Sequence, residues 1–178
     1  MAKTYQHLIL GGARSGKSGF AERLVEQICT EKKAQKVYIA TATAGDAEMA
    51  ARIKRHQDGR DAQWTIIEEP IDLAARLDNA TAEQCLLVDC LTLWLSNCLY
   101  KECWDKQRIN LFKSLEHCLA DVVLVSNEVG SGIIPMGELS RQFVDQAGWL
   151  HQALAKQCSD VSLVVAGLQS VLKTSNLR

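Results

Sequence analysis

Short apolar runs alternate with helix-period patterns from one end of this chain to the other. Strand-length runs stand at Leu8–Leu10, Val37–Ala42, Thr65–Ile67, Cys85–Val88, Val122–Ser126 and Val161–Ala166. Several are near-continuous apolar runs, as expected for strands buried on both faces of a parallel sheet. Between them, Lys17–Glu31, Ala47–Asp58, Ile71–Leu77, Leu91–Leu119 (long enough for two helices) and Gly137–Gln157 carry helical spacing. In the last of these, Leu139, Phe143, Ala147, Leu150 and Leu154 mark one apolar face. The alternation predicts a three-layer α/β domain, a mostly parallel central sheet joined by right-handed crossovers. No linker, repeat or low-complexity stretch interrupts it, so residues 1–178 read as one domain. The two prolines, Pro70 and Pro135, both fall in connections.

Composition narrows the partners. The chain has 178 residues, 47% of them hydrophobic, and a net charge of −1, so it can bury one good core and presents no basic field for nucleic acid. No apolar run reaches membrane-spanning length and no signal region precedes the first strand, which leads to the expectation of a cytoplasmic protein. The seven cysteines at 29, 85, 90, 98, 103, 118 and 158 form no C-x-x-C pair. They read as buried reduced thiols rather than as a metal site.

One stretch carries chemistry by itself. Gly11-Gly12-Ala13-Arg14-Ser15-Gly16-Lys17-Ser18 fits G-x-x-x-x-G-K-[ST], with an apolar strand before it and a helical pattern (Phe20, Leu24, Val25, Ile28) after it. Glycines let backbone N–H groups close around a polyphosphate, and the helix N-terminus adds partial positive charge. Lys17 is placed for the β- and γ-phosphates and Ser18 for Mg²⁺. The fold expectation becomes a P-loop NTPase-type domain that binds a nucleotide.

Ligands of such sheets sit outside the carboxyl ends of the strands. That rule gathers Thr41-Ala42-Thr43, Glu68-Glu69, Asp89 and Asn127-Glu128-Val129-Gly130 into one crevice with the P-loop. Asp89 ends an apolar strand and is placed to hold nucleotide-bound Mg²⁺. His56 reads either as a helix-dipole partner or as a nucleophile, since Arg52, Lys54, Arg55 and Arg60 surround it in sequence and would keep its imidazole neutral. His7, His117 and His151 read as structural. Asn127–Pro135 is a glycine-rich loop, with Gly130 and Gly132 marking either close backbone approach or a plain turn, and Glu128 either a base or a turn carboxylate. Arg141 and Asp145 are spaced to pair on a helix. Trp94, Trp104 and Trp149 serve the core or offer surface to a large apolar ligand.

Together these residues resemble the bifunctional adenosylcobinamide kinase/adenosylcobinamide-phosphate guanylyltransferases of cobalamin biosynthesis. The resemblance takes in GGARSGKS at 11–18, Ile39-Ala40-Thr41, Glu48-Met49-x-x-Arg52-Ile53-x-x-His56, and Trp64 with Glu68. It continues through Asp89-Cys90-Leu91-Thr92-Leu93-Trp94, Asn127-Glu128-Val129-Gly130-x-Gly132-Ile133-x-Pro135, Arg141-x-Phe143-x-Asp145 and Gly148. It implies phosphorylation of adenosylcobinamide by ATP or GTP. Transfer of GMP from GTP then follows through a GMP-histidine at His56, giving adenosylcobinamide-GDP and pyrophosphate.

The resemblance also implies nucleotide contacts at Gly11, Gly12, Ala13, Arg14, Ser15, Gly16, Lys17, Ser18, Ala40, Thr41, Ala42, Gln57, Asp58, Gly59, Arg60, Glu68 and Asp89, and a homotrimer. His151 departs from it, the family often having asparagine there. Guanylyl transfer needs a nucleophile in line with the α-phosphate, so the short helix bearing His56 is expected to move toward the P-loop. The competing readings are a P-loop kinase of another small metabolite and a non-catalytic nucleotide switch.

Overall fold

The order of the strands decides where the site lies. A computed structural model describes residues 4–42 and 64–175. The helix expected over Ala47–Asp58 lies outside these residues. So do His56, Gln57, Asp58, Gly59 and Arg60.

The chain begins with β1 (Gln6–Gly11), α1 (Lys17–Lys32), β2 (Gln35–Ala40) and β3 (Trp64–Glu68), then α2 (Leu73–Asp78) and β4 (Gln84–Asp89). Two helices follow, α3 (Leu91–Tyr100) and α4 (Trp104–His117), then β5 (Asp121–Asn127), α5 (Glu138–Gln157), β6 (Asp160–Val165) and β7 (Leu168–Lys173). Among the described residues the sheet has seven strands in the order β3-β2-β4-β5-β1-β6-β7. All neighbours are parallel except the β6–β7 hairpin. The expected three-layer α/β architecture is present. Leu91–Leu119 is indeed two helices, β2 stops at Ala40 rather than Ala42, and β7 was not expected.

Alternation across the pleat sorts the core into two layers. Leu8, Leu86, Val88, Val122 and Leu124 face a cluster that includes Leu91, Trp94, Leu95, Leu111, Leu115, Leu150 and Leu154. Ile9, Cys85, Leu87, Val123 and Val125 face Ala21, Val25 and Ile28 of α1. Trp94 is fully buried, meets Trp104 edge-on at 5.3 Å and donates its indole N–H to the Ile71 carbonyl at 2.7 Å. Burying each such large side chain contributes about 1.5–3 kcal/mol. Trp94 and Trp104 are therefore core residues, whereas Trp149 is 58% exposed.

The cysteines are free, six of them buried, and Cys103 is half-buried. Burial pushes the Cys98 thiol up to about 12, with Cys103 adding to the rise. His7 is a structural histidine: its Nδ1 lies 2.7 Å from the Tyr5 hydroxyl and its Nε2 2.8 Å from Ser162 Oγ. His117 pairs with Asp78 at 3.3 Å on the surface.

Candidate active site at the carboxyl ends of the strands

β1 delivers the P-loop to the middle of the crevice edge. The loop carries two positive-φ residues, Arg14 at 55° and Gly16 at 93°, alternating with residues of ordinary φ. Alternation of this kind turns successive N–H groups toward one concave side and forms an anion nest. Two glycines there are dictated by space. A Cβ at Gly11 would stand 2.5 Å from Ser15 Oγ and 2.6 Å from the Val164 carbonyl oxygen, and a Cβ at Gly16 would stand 3.1 Å from Gly167 Cα. Gly12, by contrast, has nothing within 4 Å of that position, so the concave side is open. The first turn of α1 contains no acidic residue, leaving the positive end of the helix uncompensated. Ser15 Oγ is buried without a hydrogen-bond partner among the described residues. These features fit a polyphosphate.

Lys17 is buried to 8% exposure and folds back to donate to the Gly12 carbonyl at 3.1 Å. Its charge is held inside the loop before any ligand arrives. Asp89 stands at the end of β4, two strands from β1 with β5 between. Asp89 Oδ2 accepts the Tyr38 hydroxyl at 2.9 Å. Ser18 and Asp89 offer a hydroxyl and a carboxylate, hard oxygen donors of the type Mg²⁺ takes.

Thr41 is fully buried and ties the ends of β2 and β4 together. Its Oγ1 donates to the Cys90 carbonyl at 2.7 Å and accepts the Cys90 N–H at 2.8 Å, while its own N–H donates to the Asp89 carbonyl at 3.2 Å. Neither Tyr38 nor the hydroxyl of Thr41 carries a motif, so sequence reading missed their hold on the Asp89 segment.

The two adjacent glutamates divide. Glu69 accepts the N–H groups of Ile71 and Asp72 at 3.1 and 2.8 Å and pairs with Arg76 at 3.1 Å, organising the entry to α2. Burial raises the Glu69 carboxyl, and these contacts outweigh it to leave the pKa below the ordinary value. Glu68 is exposed at the end of β3, opposite Ala40 in register.

Asn127 ends β5, opposite Gly11 in register, and Glu128 follows it. Asn127 Nδ2 donates to Thr92 Oγ1 at 3.1 Å, and the Glu128 N–H donates to the Gly11 carbonyl at 3.0 Å. The Glu128 carboxylate accepts from the Gly130 and Ser131 N–H groups at 2.7 and 3.3 Å. Burial pushes this carboxyl up, and hydrogen bonds from Ser131 and Gly130 outweigh it, leaving the pKa lowered. Here Glu128 is a turn carboxylate. Beyond it, Ile133, Ile134, Met136 and Leu139 are exposed. Arg141 does not pair with Asp145 as its spacing suggested; it donates instead to the carbonyls of Pro135 and Met136. Its guanidinium thus holds the end of the loop against the first turn of α5.

His151 approaches from α5 to place Nε2 2.7 Å from the buried Ser126 Oγ. Burial lowers its pKa, with Glu128 opposing. The structure therefore assembles the P-loop, Asp89, Asn127 and Glu128 along one edge of the sheet, and adds Tyr38, Thr92, Ser126 and His151 behind them.

Comparison with known proteins agrees with this arrangement. A family model described as cobinamide kinase / cobinamide phosphate guanyltransferase matches residues 7–172. A protein of Pseudomonas aeruginosa named bifunctional adenosylcobalamin biosynthesis protein CobP is 53% identical over 172 residues, covering 93% of this chain and 96% of its own length. Proteins of Salmonella typhimurium and Escherichia coli, each named bifunctional adenosylcobalamin biosynthesis protein CobU, are 39% and 38% identical over 184 residues, covering 93% of this chain and 98% of their own.

Proposed function

From its membership of the cobinamide kinase / cobinamide phosphate guanyltransferase family, to which the chain belongs, we propose a two-step enzyme of adenosylcobalamin biosynthesis. It phosphorylates adenosylcobinamide with ATP or GTP and then transfers GMP from GTP to the product. Adenosylcobinamide-GDP and pyrophosphate result, and the GMP travels as a covalent adduct of His56. The observation that carries the reading is the preformed phosphate cradle at 11–18 in a chain matched to the family over 7–172.

In the kinase step the P-loop amides and the α1 N-terminus take the β- and γ-phosphates. Lys17 turns from the Gly12 carbonyl toward the charge that develops on the transferring group. Ser18 and Asp89 would hold Mg²⁺, which offsets phosphate charge when bound. Tyr38 orients the Asp89 carboxylate by its hydroxyl, and Thr41 fixes the backbone that carries it. Ala40, Ala42, Glu68, Gln57, Asp58, Gly59 and Arg60 complete the nucleotide contacts in this reading.

In the guanylyl step the imidazole of His56 attacks the α-phosphorus, the bond to pyrophosphate breaks, and an N–P bond forms. The phosphate of the acceptor then attacks the same phosphorus and frees His56. In this reading the segment carrying His56 moves toward the P-loop to bring the imidazole within reach. Asn127, Glu128, Gly130 and Gly132 edge the acceptor side. The protein acts in the cytoplasm, as a homotrimer, on a small-molecule acceptor and without nucleic acid.

The deciding experiment incubates the protein with Mg²⁺ and GTP labelled at the α-phosphate, then denatures it. Retained label that is acid-labile and base-stable, lost in His56→Ala and kept in Arg55→Ala, is the expected result. An unlabelled wild-type protein that also leaves cobinamide unchanged overturns the proposal in favour of a P-loop kinase of another metabolite.

A further inference from the structure

We infer that the β6–β7 turn is part of the phosphate cradle and that Gly167 is a positioning residue for nucleotide binding, acting through the Ser15–Gly16 peptide. The inference rests on the proposed binding of a nucleotide triphosphate at the P-loop.

β6 and β7 close at the pair Val165–Leu168, leaving Ala166 and Gly167 as a two-residue connection with φ of 52° and 78°. Two consecutive positive φ values identify the tight hairpin turn whose twist matches paired strands. In such a turn the N–H of the second central residue has no partner in the ladder. Here it is not left to water. The Gly167 N–H donates to the Ser15 carbonyl at 2.8 Å, in the middle of the P-loop.

A trans peptide is planar, with its C=O and N–H pointing in opposite directions. Holding the Ser15 oxygen on the hairpin side therefore aims the Gly16 N–H the other way, into the cradle. Gly16 adds a second constraint. Its φ of 93° and a place for Cβ only 3.1 Å from Gly167 Cα mean that the two glycines pack backbone on backbone. One strand earlier, the Val164 carbonyl oxygen fills the space beside Gly11, 2.6 Å from where a Cβ would stand. The hairpin thus touches the loop at both of its restricted glycines.

The opposite side of the loop is braced by the Glu128 N–H on the Gly11 carbonyl at 3.0 Å. Strand order explains the symmetry: β1 lies between β5 and β6, so its loop is gripped from both neighbours. Within the hairpin β6 is a core strand, whereas β7 is exposed along most of its length.

The full chain carries the test. Inserting two glycines between Ala166 and Gly167 lengthens the turn and withdraws the amide from Ser15 while keeping the β6–β7 pairs. Calorimetric titration with Mg·GTP and with Mg·tripolyphosphate is expected to show both bound about tenfold or more weakly than by the parent. Val171→Thr, on β7 away from the turn, is expected to bind within about twofold of the parent.

A parent that fails to bind Mg·GTP refutes the proposed nucleotide site, and this inference falls with it. A binding parent with an insertion variant within twofold overturns the hairpin's role alone. An equal loss in Val171→Thr also overturns it, because the effect would then come from hairpin stability. If the insertion variant does not fold, Gly167→Ala replaces it. Its Cβ meets nothing within 4 Å, but its φ disfavours a side chain, so the turn shifts without a clash. The ¹⁵N shift of the Gly16 amide in the ligand-free protein is expected to move in that variant, with weakened tripolyphosphate binding. An unmoved Gly16 resonance overturns the inference.

Discussion

Two glycine-containing loops leave neighbouring parallel strands side by side, one after β1 and one after β5, and they are built in opposite ways. In the P-loop, contacts under 3.2 Å demand glycine at Gly11 and Gly16, and Gly16 also has a left-handed backbone; the Gly11 and Ser15 carbonyls are bonded to neighbouring segments, and the Ser15 N–H to the Gly12 carbonyl. In the β5 loop, Gly132 has nothing within 4 Å of a Cβ, and Gly130 meets only Glu128 Oε1 at 3.2 Å. That loop ends in exposed apolar residues, with Ile133 98% and Met136 97% exposed. Glycine in the first loop answers to the protein's own backbone. In the second it leaves room on an exposed surface.

The largest expected effect lies in the first loop. Lys17→Ala removes the one P-loop side-chain cation that the cradle keeps buried, and kcat for the kinase step is expected to fall about 10²–10³-fold. Steady-state rates with GTP and with ATP measure it. A fall confined to KM would show that Lys17 only binds. Next comes the contrast between glycines. Gly16→Ala forces a side chain into a left-handed backbone against Gly167, a strain of about 1–3 kcal/mol. Its Mg·GTP affinity is expected to drop. Gly132→Ala is expected to change stability by less than about 0.5 kcal/mol and leave GTP binding alone. Equal effects of the two on GTP affinity would erase the distinction between the loops.

His151→Ala tests the support behind the second loop. It leaves the fully buried Ser126 hydroxyl without its 2.7 Å partner, and a loss of about 1–3 kcal/mol is expected in denaturant unfolding. The smallest effect is a dependence on pH. Burial lowers the pKa of both His151 and His7 from 6.5, against Glu128 and Asp160 respectively. Over the window between each folded value and 6.5, the unfolded chain binds more protons than the folded one, so stability rises with pH. The contribution is complete above the unfolded value and is lost as pH falls below it. Melting temperature followed from pH 8 to 5 should decline through that window. The decline should be smaller in His151→Ala.

Much of this is legible in the sequence alone. The strand runs Cys85–Val88 and Val122–Val125 are apolar throughout because both of their faces are covered, and each lies within a residue or two of its expected place. The P-loop was legible because its chemistry needs a contiguous motif. β7 was not, since Leu168-Gln169-Ser170-Val171-Leu172-Lys173 lies exposed on a sheet edge and carries no burial pattern. Its one local signal was Ala166-Gly167 between two strand-length segments. Arg141 misled because helical spacing to Asp145 says nothing of the Pro135 and Met136 carbonyls that lie within its reach just before α5. Glu68 and Glu69 are chemically identical in sequence. Only the direction of the chain after β3 gives one to the α2 entry and leaves the other exposed at the strand end.

What the order of residues determined by itself is local: the alternation that makes an α/β sheet, the glycine-lysine motif between β1 and α1, and the family to which these belong. Those depend on contacts between residues a few positions apart, or on burial that each strand records in its own composition. Tertiary structure alone decided which groups hold those local pieces in working shape. Tyr38 reaches Asp89 across 51 positions, His151 reaches Ser126 across 25, and the Gly167 amide closes on Ser15 from the far end of the chain. Such partners are chosen by strand order and register, which bring distant segments within 3 Å without requiring any pattern in the residues between them.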